Sequence, residues 1–344
     1  MKILVTGGCG FIGSHFIRRV LARQAAARVL NLDKMTYAGR GRNLADLPSA
    51  DARRHRLVRG DIADRAKVRR LLRRFKPDAI VNFAAETHVD RSIVDASDFL
   101  RTNVSGTQVL LEAAREFEVP KFLQVSTDEV YGTLGVKGKF REDDSLEPNS
   151  PYSASKASAD LFCRAAHETY GQHVTISRCC NNYGPFQFPE KLIPLMVVRA
   201  LENRKLPVYG DGLQVRDWIY VVDHADAIWR ILKRGCAGEI YNVGSTEEHP
   251  NLWIVKRILK MLGRPESLIE HVPDRLGHDR RYAVDSAKLR RELGWRPGHS
   301  FGDALAETVR WYMENPAWWR RLQRLRDHRQ FQDRYYRKKE RRRV

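Results

Sequence analysis

Short apolar, β-branched runs alternate with longer segments of helical periodicity over the first 180 residues. The runs predict strands at residues 2–6, 29–32, 56–58, 79–83, 122–125 and 174–177. The segments between them predict helices at residues 11–23, 65–75, 98–117 and 153–170. This alternation is typical of an α/β fold with a parallel, doubly wound sheet, in which ligands bind at the carboxyl ends of the strands.

The pattern loosens after residue 180, where Pro and Gly become frequent and the apolar runs become shorter. Helices are predicted near residues 192–202, 223–233, 252–262 and 301–312. We therefore predict a first domain over residues 1–180, with segments near 215–245 returning to it. A smaller α/β domain for substrate covers mainly residues 181–319, and a basic tail covers 320–344.

Composition restricts the class of protein. Apolar residues make up 42% of the 344 residues, which excludes a disordered chain, and no apolar run approaches the ~20 residues that cross a bilayer. The five cysteines have no C-x-x-C spacing, so neither a disulfide framework nor a zinc site is predicted, and no metal site is expected. We expect a cytoplasmic protein that does not bind membranes.

The formal net charge of +19 raises the question of nucleic acid. Residues 320–344 contain twelve Lys or Arg and three Asp or Glu, so nearly half of the excess lies in the tail. A solvated, partly helical tail is the favoured interpretation, and binding of a polyanion by the tail stays open. The rest of the chain shows no nucleic-acid-binding module, so the sequence does not favour a nucleic-acid partner.

A glycine-rich segment, TGGCGFIG, follows the first predicted strand and opens the first helix. Gly7, Gly10 and Gly13 at this spacing permit a tight turn, a close approach to a pyrophosphate and close packing of helix on strand. The strand before the segment and the helix after it support a dinucleotide site of the Rossmann type.

Asp33 ends the second predicted strand, about 20 residues beyond the last of these glycines. Its carboxylate can accept hydrogen bonds from both ribose hydroxyls and would repel a 2′-phosphate, so the sequence favours NAD over NADP. Asp61 and Ile62, at the end of the third strand, are candidates for the wall of the adenine site.

Tyr152 and Lys156 in PYSASKASAD lie one helical turn apart and share a face of the predicted helix. A fixed ammonium near a tyrosine favours the phenolate, which can act as general base for an alcohol that NAD oxidises.

Asp128 and Glu129 stand side by side after the fifth strand in VSTDEVYG. Two carboxyl groups near a core are costly unless they are paired, hydrated or used in function. A pair that caps backbone amides is the structural alternative, and a pair whose pKa values are pushed apart could act as acid and base.

Together with the blocks FAAETHVDRSI, NNYGPFQFPEKLIP, YGDGLQVRDWIYVVDH and DRLGHDRRYAVD, these motifs resemble the nucleotide-sugar branch of the extended short-chain dehydrogenase/reductase superfamily. Within that branch they are similar to the dTDP-glucose 4,6-dehydratase family, from the first residue to about Trp319.

The resemblance implies an internal redox cycle, in which NAD oxidises C4 of the sugar, water is eliminated across C5 and C6, and hydride returns to C6. It implies Tyr152 and Lys156 as the pair for oxidation, Thr127 as the partner of the C4 oxygen, Glu129 as the C5 base and Asp128 as the acid that expels water. This would be a lyase in deoxysugar biosynthesis with tightly bound, recycled NAD.

The resemblance also implies two binding sets by position. The cofactor set is Gly7, Gly10, Phe11, Ile12, Gly13, Asp33, Lys34, Thr36, Asp61, Ile62, Ala84, Ala85, Thr102, Tyr152 and Lys156. The substrate set is Thr87, Thr127, Asn181, Asn182, Lys191, Leu192, Val208, Tyr209, Arg216, Asn251, Arg275 and His278.

Several alternatives stay open at this stage. Arg216 could instead form a surface ion pair with Asp211 or Asp217. The same chemistry could act on UDP-glucose or another nucleotide hexose, and a catalytically idle Rossmann module with a polyanion-binding tail is a different class. The resemblance further implies a homodimer in which the helices 98–117 and 153–170 form a four-helix interface.

Overall fold

The computed structural model describes residues 1–39 and 41–324. Seven strands form one large, wholly parallel sheet, and the others form a four-stranded sheet and a strand pair. The strands are β1 Lys2–Thr6, β2 Arg28–Asp33, β3 His55–Arg59, β4 Ala79–Asn82, β5 Phe122–Thr127, β6 Val174–Cys179, β7 Asn181–Tyr183, β8 Leu206–Tyr209, β9 Val215–Tyr220, β10 Ile240–Val243, β11 Glu248–Pro250, β12 Ile269–Val272 and β13 Arg281–Tyr282.

Helices connect these strands, and some of them cover the two faces of the large sheet. They are α1 Phe11–Arg23, α2 Ser49–Ala52, α3 Arg65–Phe75, α4 Val89–Val94, α5 Ser97–Phe99, α6 Thr107–Glu116, α7 Pro151–Tyr170, α8 Leu192–Leu201, α9 Val221–Arg234, α10 Asn251–Met261, α11 Ala287–Leu293, α12 Phe301–Glu314 and α13 Pro316–Gln323. Short 3₁₀ helices occur at Gly41–Leu44, Asp128–Tyr131 and Glu266–Leu268.

The large sheet has the strand order β10-β6-β5-β4-β1-β2-β3, so the chain starts in the middle and winds outward in both directions. The predicted doubly wound parallel sheet is therefore confirmed. Side chains alternate between two cores: Ile3 and Val5 pack on the face that α1 and α9 cover, and Leu4 packs on the face of α3 and α6. The carboxyl ends of β1, β2, β4 and β5 meet along one edge, which is where such sheets bind ligands.

The predicted helix over residues 98–117 is interrupted in the structure. A π-helix, Leu100–Gly106, lies between α5 and α6, and α4 precedes them. Asn103 in the π-helix donates hydrogen bonds to the carbonyl oxygen of Glu86 at 3.0 Å and to Ser155 Oγ at 2.8 Å, so the wide turn ties the loop after β4 to α7. π-turns break the 3.6-residue period without changing the apolar pattern much, which is why the sequence predicted one helix.

The part of the chain that follows β9 returns to the large sheet and also helps to build a second core. After β9, α9 packs on α1 and β10 pairs with β6, so residues 221–243 extend the large sheet. A second core lies between α8, α10 and α12, and its members include Ile193, Ile254 and Leu305. Within the described residues, no helix is long and apolar enough to cross a membrane.

Candidate active site

The glycine loop lies against the end of β4. Gly7 has φ of +67°, and a Cβ atom there would stand 2.6 Å from the backbone nitrogen of Ala84. A Cβ atom on Gly13 would stand 2.5 Å from the carbonyl oxygen of Gly7. Only glycine fits these positions, so the first turn of α1, whose N-cap is Gly10 without a side-chain cap, presents its backbone N–H groups to the cleft.

Asp33 closes the other side of this loop. Its Oδ2 accepts a hydrogen bond from the backbone nitrogen of Cys9 at 2.9 Å, and its Oδ1 accepts one from Met35 at 2.7 Å. Burial raises the pKa of the carboxyl, and these two hydrogen bonds oppose that rise. A glycine cradle facing a helix N-terminus, with an acceptor for ribose hydroxyls beside it, fits a dinucleotide such as NAD.

The cleft above the strand ends contains nearly every predicted cofactor residue. Asp61 and Ile62 are the exceptions: Asp61 pairs with Lys34 at 3.2 Å and with Arg101 at 3.3 Å, and Ile62 packs in the core under Gly106. Residues of the predicted set that line the cleft are Gly7, Gly10, Phe11, Ile12, Gly13, Asp33, Lys34, Thr36, Ala84, Ala85, Thr102, Tyr152 and Lys156.

The acid pair begins where β5 ends. Thr127 Oγ1 accepts a hydrogen bond from the backbone nitrogen of Glu129 at 3.2 Å and donates one to Asp128 Oδ1 at 3.3 Å. Asp128 is 2% exposed, and its Oδ2 has no hydrogen-bond partner among the described residues. Burial, followed by the charge of Glu129, raises the pKa of Asp128 well above its usual value. The two neighbouring carboxyl groups therefore have different environments.

Helix α7 supplies the tyrosine and the lysine. Ser150 caps the helix by accepting a hydrogen bond from Ser153 at 3.1 Å, and Tyr152 and Lys156 follow on one buried face. The Lys156 ammonium donates to the carbonyl oxygen of Val125 at 2.7 Å.

The electrostatics of Tyr152 differ from the prediction. The sequence led us to expect that Lys156 favours the phenolate, whereas burial, followed by the charge of Glu129, raises the pKa of Tyr152 well above its usual value. Burial likewise lowers the pKa of Lys156. In the chain by itself, desolvation therefore favours the neutral forms of both groups.

A second cleft contains the predicted substrate residues. It is lined by Asn181, Asn182, Lys191, Leu192, Val208, Tyr209, Arg216, Asn251, Arg275 and His278. Thr87 lines the first cleft, and its carbonyl oxygen accepts a hydrogen bond from Lys191 at 2.7 Å. Glu129, Asn181, Asn182 and Lys191 line both clefts, so the two meet at the carboxylate of Glu129.

Arg216 carries a positive charge into the second cleft without a carboxylate partner among the described residues. Its guanidinium donates to the carbonyl oxygens of Val215 and Asp279, both at 2.8 Å, and lies 4.2 Å from the ring centre of Tyr282. Asp211 binds Arg280 instead, at 2.9 Å, and Asp217 accepts from the Ser245 hydroxyl, at 2.7 Å, so neither ion pair that the sequence left open forms among the described residues. An uncompensated guanidinium in a cleft suits a phosphate group.

His278 forms the far wall of this cleft. Its Nδ1 lies 2.6 Å from Asp274 Oδ1, and burial lowers the pKa of the imidazole to about 4. The ring of Tyr209 meets it edge to face at 6.2 Å, and the Tyr209 hydroxyl donates to Asp90 at 3.0 Å. A neutral histidine beside an aromatic ring suits a nucleoside rather than a phosphate.

The sequence analysis missed Glu190, which lines both clefts between the predicted residues Asn182 and Lys191. Its Oε1 accepts a hydrogen bond from Tyr37 at 3.0 Å, and burial raises the pKa of the carboxyl to about 7. The block FPEKLIP contained the signal, because a glutamate beside a lysine in an apolar run is unusual unless it is used.

The sequence is similar to a known family of enzymes and to individual members of it. The sequence model of the family described as GDP-mannose 4,6 dehydratase matches residues 4–308. A dTDP-glucose 4,6-dehydratase of Xanthomonas campestris pv. campestris (strain B100) is 52% identical over 334 residues, which cover 92% of this chain and 94% of that protein. One from Streptomyces niveus is 49% identical over 326 residues, covering 94% and 96%.

Solved structures agree. A double mutant of the dTDP-glucose 4,6-dehydratase DesIV from Streptomyces venezuelae, solved with NAD bound, superposes with a TM-score of 0.91 at 52% identity and covers 94% of this chain and 100% of its own. A UDP-glucose 4-epimerase of Thermus thermophilus, also solved with NAD, has a TM-score of 0.84 at 31% identity, over 92% and 100%. The fold is shared by both enzymes, and the higher identity lies with the dehydratase.

Proposed function

This chain belongs to the dTDP-glucose 4,6-dehydratase family, and we propose that it converts dTDP-glucose to dTDP-4-keto-6-deoxyglucose as a lyase with recycled NAD. The observation that carries the proposal is the acid pair in the dinucleotide cleft: Asp128 and Glu129 both line it, and Glu129 also lines the second cleft. An epimerase needs oxidation, rotation and reduction only, whereas an elimination needs an acid as well as a base, and burial raises the pKa of Asp128 so that it can serve as the acid.

Tyr152, Thr127 and Lys156 serve the first half of the reaction. Bound NAD supplies the hydride acceptor for C4, the hydride donor for C6 and a positively charged ring in the cleft. Tyr152 takes the proton of the C4 hydroxyl, and Thr127 is a hydrogen-bond partner of the C4 oxygen. Because burial raises the pKa of Tyr152, the phenolate depends on positive charge from its surroundings, to which Lys156 contributes.

Glu129 and Asp128 serve the second half. The C4 ketone acidifies C5, so Glu129 removes the C5 proton as a general base. Asp128, whose pKa is raised well above its usual value by burial and by Glu129, keeps its proton and gives it to the departing C6 hydroxyl. Water leaves, and C6 then accepts the returning hydride while C5 is reprotonated.

The second cleft binds the nucleoside diphosphate in this proposal. Arg216 and Arg275 face the phosphates, and Asn251 and His278 face the nucleoside. The Nε atom of Arg275 has no hydrogen-bond partner among the described residues, which leaves it available for an anion.

The direct test is to incubate the purified protein with dTDP-glucose, UDP-glucose and GDP-mannose separately and to follow the products by proton NMR. The proposal expects a 4-keto-6-deoxy product, with its new C6 methyl signal, and the largest kcat/KM for dTDP-glucose. A C4 epimer without a methyl signal would show an epimerase. Faster turnover of UDP-glucose or GDP-mannose would move the substrate assignment to that nucleotide.

We further propose a homodimer. Leu161 and Phe162 on α7 are 56% and 39% exposed, and Leu100 in the π-helix that packs on α7 is 57% exposed. Exposed large apolar side chains on these two neighbouring helices favour burial against a second copy. Light scattering should give twice the chain mass, and Leu161→Glu should give monomers. Val136→Glu, at a site 92% exposed elsewhere, is the control that should stay dimeric.

The cytoplasm is the proposed location, because NAD and nucleotide sugars are cytoplasmic metabolites and the cysteines of the described residues are free thiols. Fractionation of cells that express the protein tests this: recovery with the membrane or secreted fraction would contradict it. The basic tail beyond Arg324, for which the sequence left polyanion binding open, lies outside the described residues.

A further inference from the structure

Asp217 is a buried carboxyl group that none of the proposed steps uses. It lies on β9 between Arg216 and Trp218, which both line the second cleft, and its own exposure is 0%. Its Oδ1 accepts hydrogen bonds from the backbone nitrogen of Ser245 at 3.2 Å and from the Ser245 hydroxyl at 2.7 Å. A buried acid next to a binding arginine, yet not paired with it, calls for an explanation.

The strand register brings Asp217 towards Asp128. Thr127, which precedes Asp128, pairs with Cys179, and Trp218, which follows Asp217, pairs with Asn181. Cys180 therefore lies between the residue that pairs with Thr127 and the residue that pairs with Trp218. After burial, the charges of Asp217 and Asp128 are the main causes that raise the pKa of the Cys180 thiol, so both carboxyl groups lie within electrostatic reach of that thiol.

The two carboxyl groups differ in what surrounds them. Burial raises the pKa of Asp217 too, and its Oδ2 has no hydrogen-bond partner among the described residues, but the two donors of Ser245, the backbone N–H of Thr246 and the positive charge of Lys139 oppose that rise. Asp128 accepts one long hydrogen bond from Thr127, and its Oδ2 has no partner among the described residues. Donors and a cation stabilise a charged carboxylate, so of the two, Asp217 is the one suited to carry the negative charge.

The other charged and titratable groups around Asp128 do not reverse this order. Glu129 and Asp217 both disfavour its ionised form, and the charge of Arg216 opposes them. The phenol of Tyr152 and the thiols of Cys179 and Cys180 are neutral, since burial raises the pKa of each. Of Asp128 and Asp217, the more weakly solvated Asp128 is therefore the better place for a proton that the two acids compete for.

We propose that Asp217 is a positioning residue for the elimination: its buried negative charge holds the proton on Asp128, which delivers that proton to the departing C6 hydroxyl. The inference rests on the proposed dehydratase function and adds a residue to it. Asp217 acts through Asp128 and through no contact with the sugar.

The test is the pH dependence of Asp217→Asn. Asparagine keeps the shape and the oxygen that accepts from Ser245, but it removes the charge. Elimination requires protonated Asp128, so its rate falls as pH rises through the pKa of Asp128. Removing the nearby negative charge lowers that pKa, and this descending limb moves to lower pH. Above the limb the variant should lose roughly tenfold in rate for each pH unit of displacement, and below it the rate should stay near that of the wild type.

A substrate with a better leaving group separates this role from a structural one. Fluoride needs less protonation than hydroxide when it departs, so dTDP-6-deoxy-6-fluoroglucose should restore most of the lost rate at high pH. A purely structural defect would slow both substrates at every pH. Asp223→Asn is the matched control, because Asp223 is also buried but binds His299 beside α9, and its limb should not move.

Ser245→Ala provides a second variant that leaves both carboxyl groups in place. It removes the hydroxyl donor of Asp217, so Asp217 competes better for the proton and the descending limb should again move to lower pH. An unmoved limb in either folded variant overturns the inference. Absence of a 4-keto-6-deoxy product from the wild-type protein would instead overturn the proposed function, so the two failures are distinguishable.

Discussion

The backbone nitrogen of Cys9 donates a hydrogen bond to Oδ2 of Asp33 over 2.9 Å. This bond fastens the glycine loop to the end of β2, so the two parts of the dinucleotide site hold each other in place. The same loop is tied to the chain beyond β2, because Asn43 donates to the carbonyl oxygen of Cys9 at 3.0 Å. Asp33 therefore shapes the cradle as well as presenting acceptors to it.

Replacing Asp33 with Ala should weaken NAD binding by about 1–3 kcal/mol, the usual cost of leaving buried polar partners unpaired. The variant should also discriminate less against NADP, since the charge that repels a 2′-phosphate is gone. Calorimetric titration with both cofactors measures this. Asp46→Ala, at an exposed partner of Arg18, should leave both affinities unchanged. Equal NAD and NADP affinity in the wild-type protein would show that Asp33 does not select the cofactor.

Arg178 and Asp160 form a buried ion pair at 2.9 Å between β6 and α7, with side-chain exposures of 3% and 1%. Asp160→Ala leaves a buried guanidinium without its partner and should lower the free energy of unfolding by about 3–5 kcal/mol. Denaturant unfolding with NAD absent measures the loss. A change below about 1 kcal/mol would show that water or Tyr131 satisfies the charge instead.

Glu266→Ala is the matched surface control. Its partner Lys256 lies at 2.8 Å, but the two side chains are 61% and 47% exposed, so the loss should be about 0–1 kcal/mol. The double variant Asp160→Leu, Arg178→Met should recover part of the stability, because an apolar pair does not leave a buried charge unpaired.

Two truncations, after Arg324 and after Trp319, should have different effects on the protein. Helix α13 includes the first four residues that the sequence assigns to the basic tail, and Leu322 in it is 6% exposed. A protein ending at Arg324 should keep wild-type kcat and melting temperature, since no predicted site residue lies beyond it. A protein ending at Trp319 loses Leu322 and should be destabilised by about 2–5 kcal/mol. Loss of turnover in the longer of the two would show that residues 325–344 take part in function.

The strands and the acid pair could be predicted because their signals are local. Apolar, β-branched runs mark strands that are buried on both faces, and the carboxyl ends of such strands gather the site residues whatever the details of packing. The π-helix and the pairing of β8 with β12 could not be predicted, since they depend on contacts such as those of Asn103 with Glu86 and Ser155. Burial was the missing quantity for Tyr152, whose pKa the sequence predicted in the opposite direction.

Glu129 lies where the two clefts meet, and Ser153 Oγ approaches its Oε2 at 3.4 Å. Glu129→Gln keeps the size of the side chain and an acceptor for Ser153 but removes the base. Oxidation at C4 depends on Tyr152, Lys156 and Thr127, so it should survive in part, whereas elimination should slow by ~100- to 10,000-fold. Absorbance of the reduced nicotinamide should therefore build up after dTDP-glucose is added.

Two comparisons decide whether that accumulation has this cause. Tyr152→Phe blocks the first step and should show no reduced nicotinamide, although its product formation is equally slow. In heavy water, the wild-type product should carry deuterium at C5, because the intermediate is reprotonated there as hydride returns to C6. In the wild-type protein, the carboxylate of Glu129 exchanges the C5 proton with solvent. Glu129→Gln lacks this carboxylate, so it should incorporate deuterium at C5 only as fast as it forms product. If Glu129→Gln eliminated water at the wild-type rate, another group that lines both clefts would have to remove the C5 proton. Glu190 is a carboxyl group in that position.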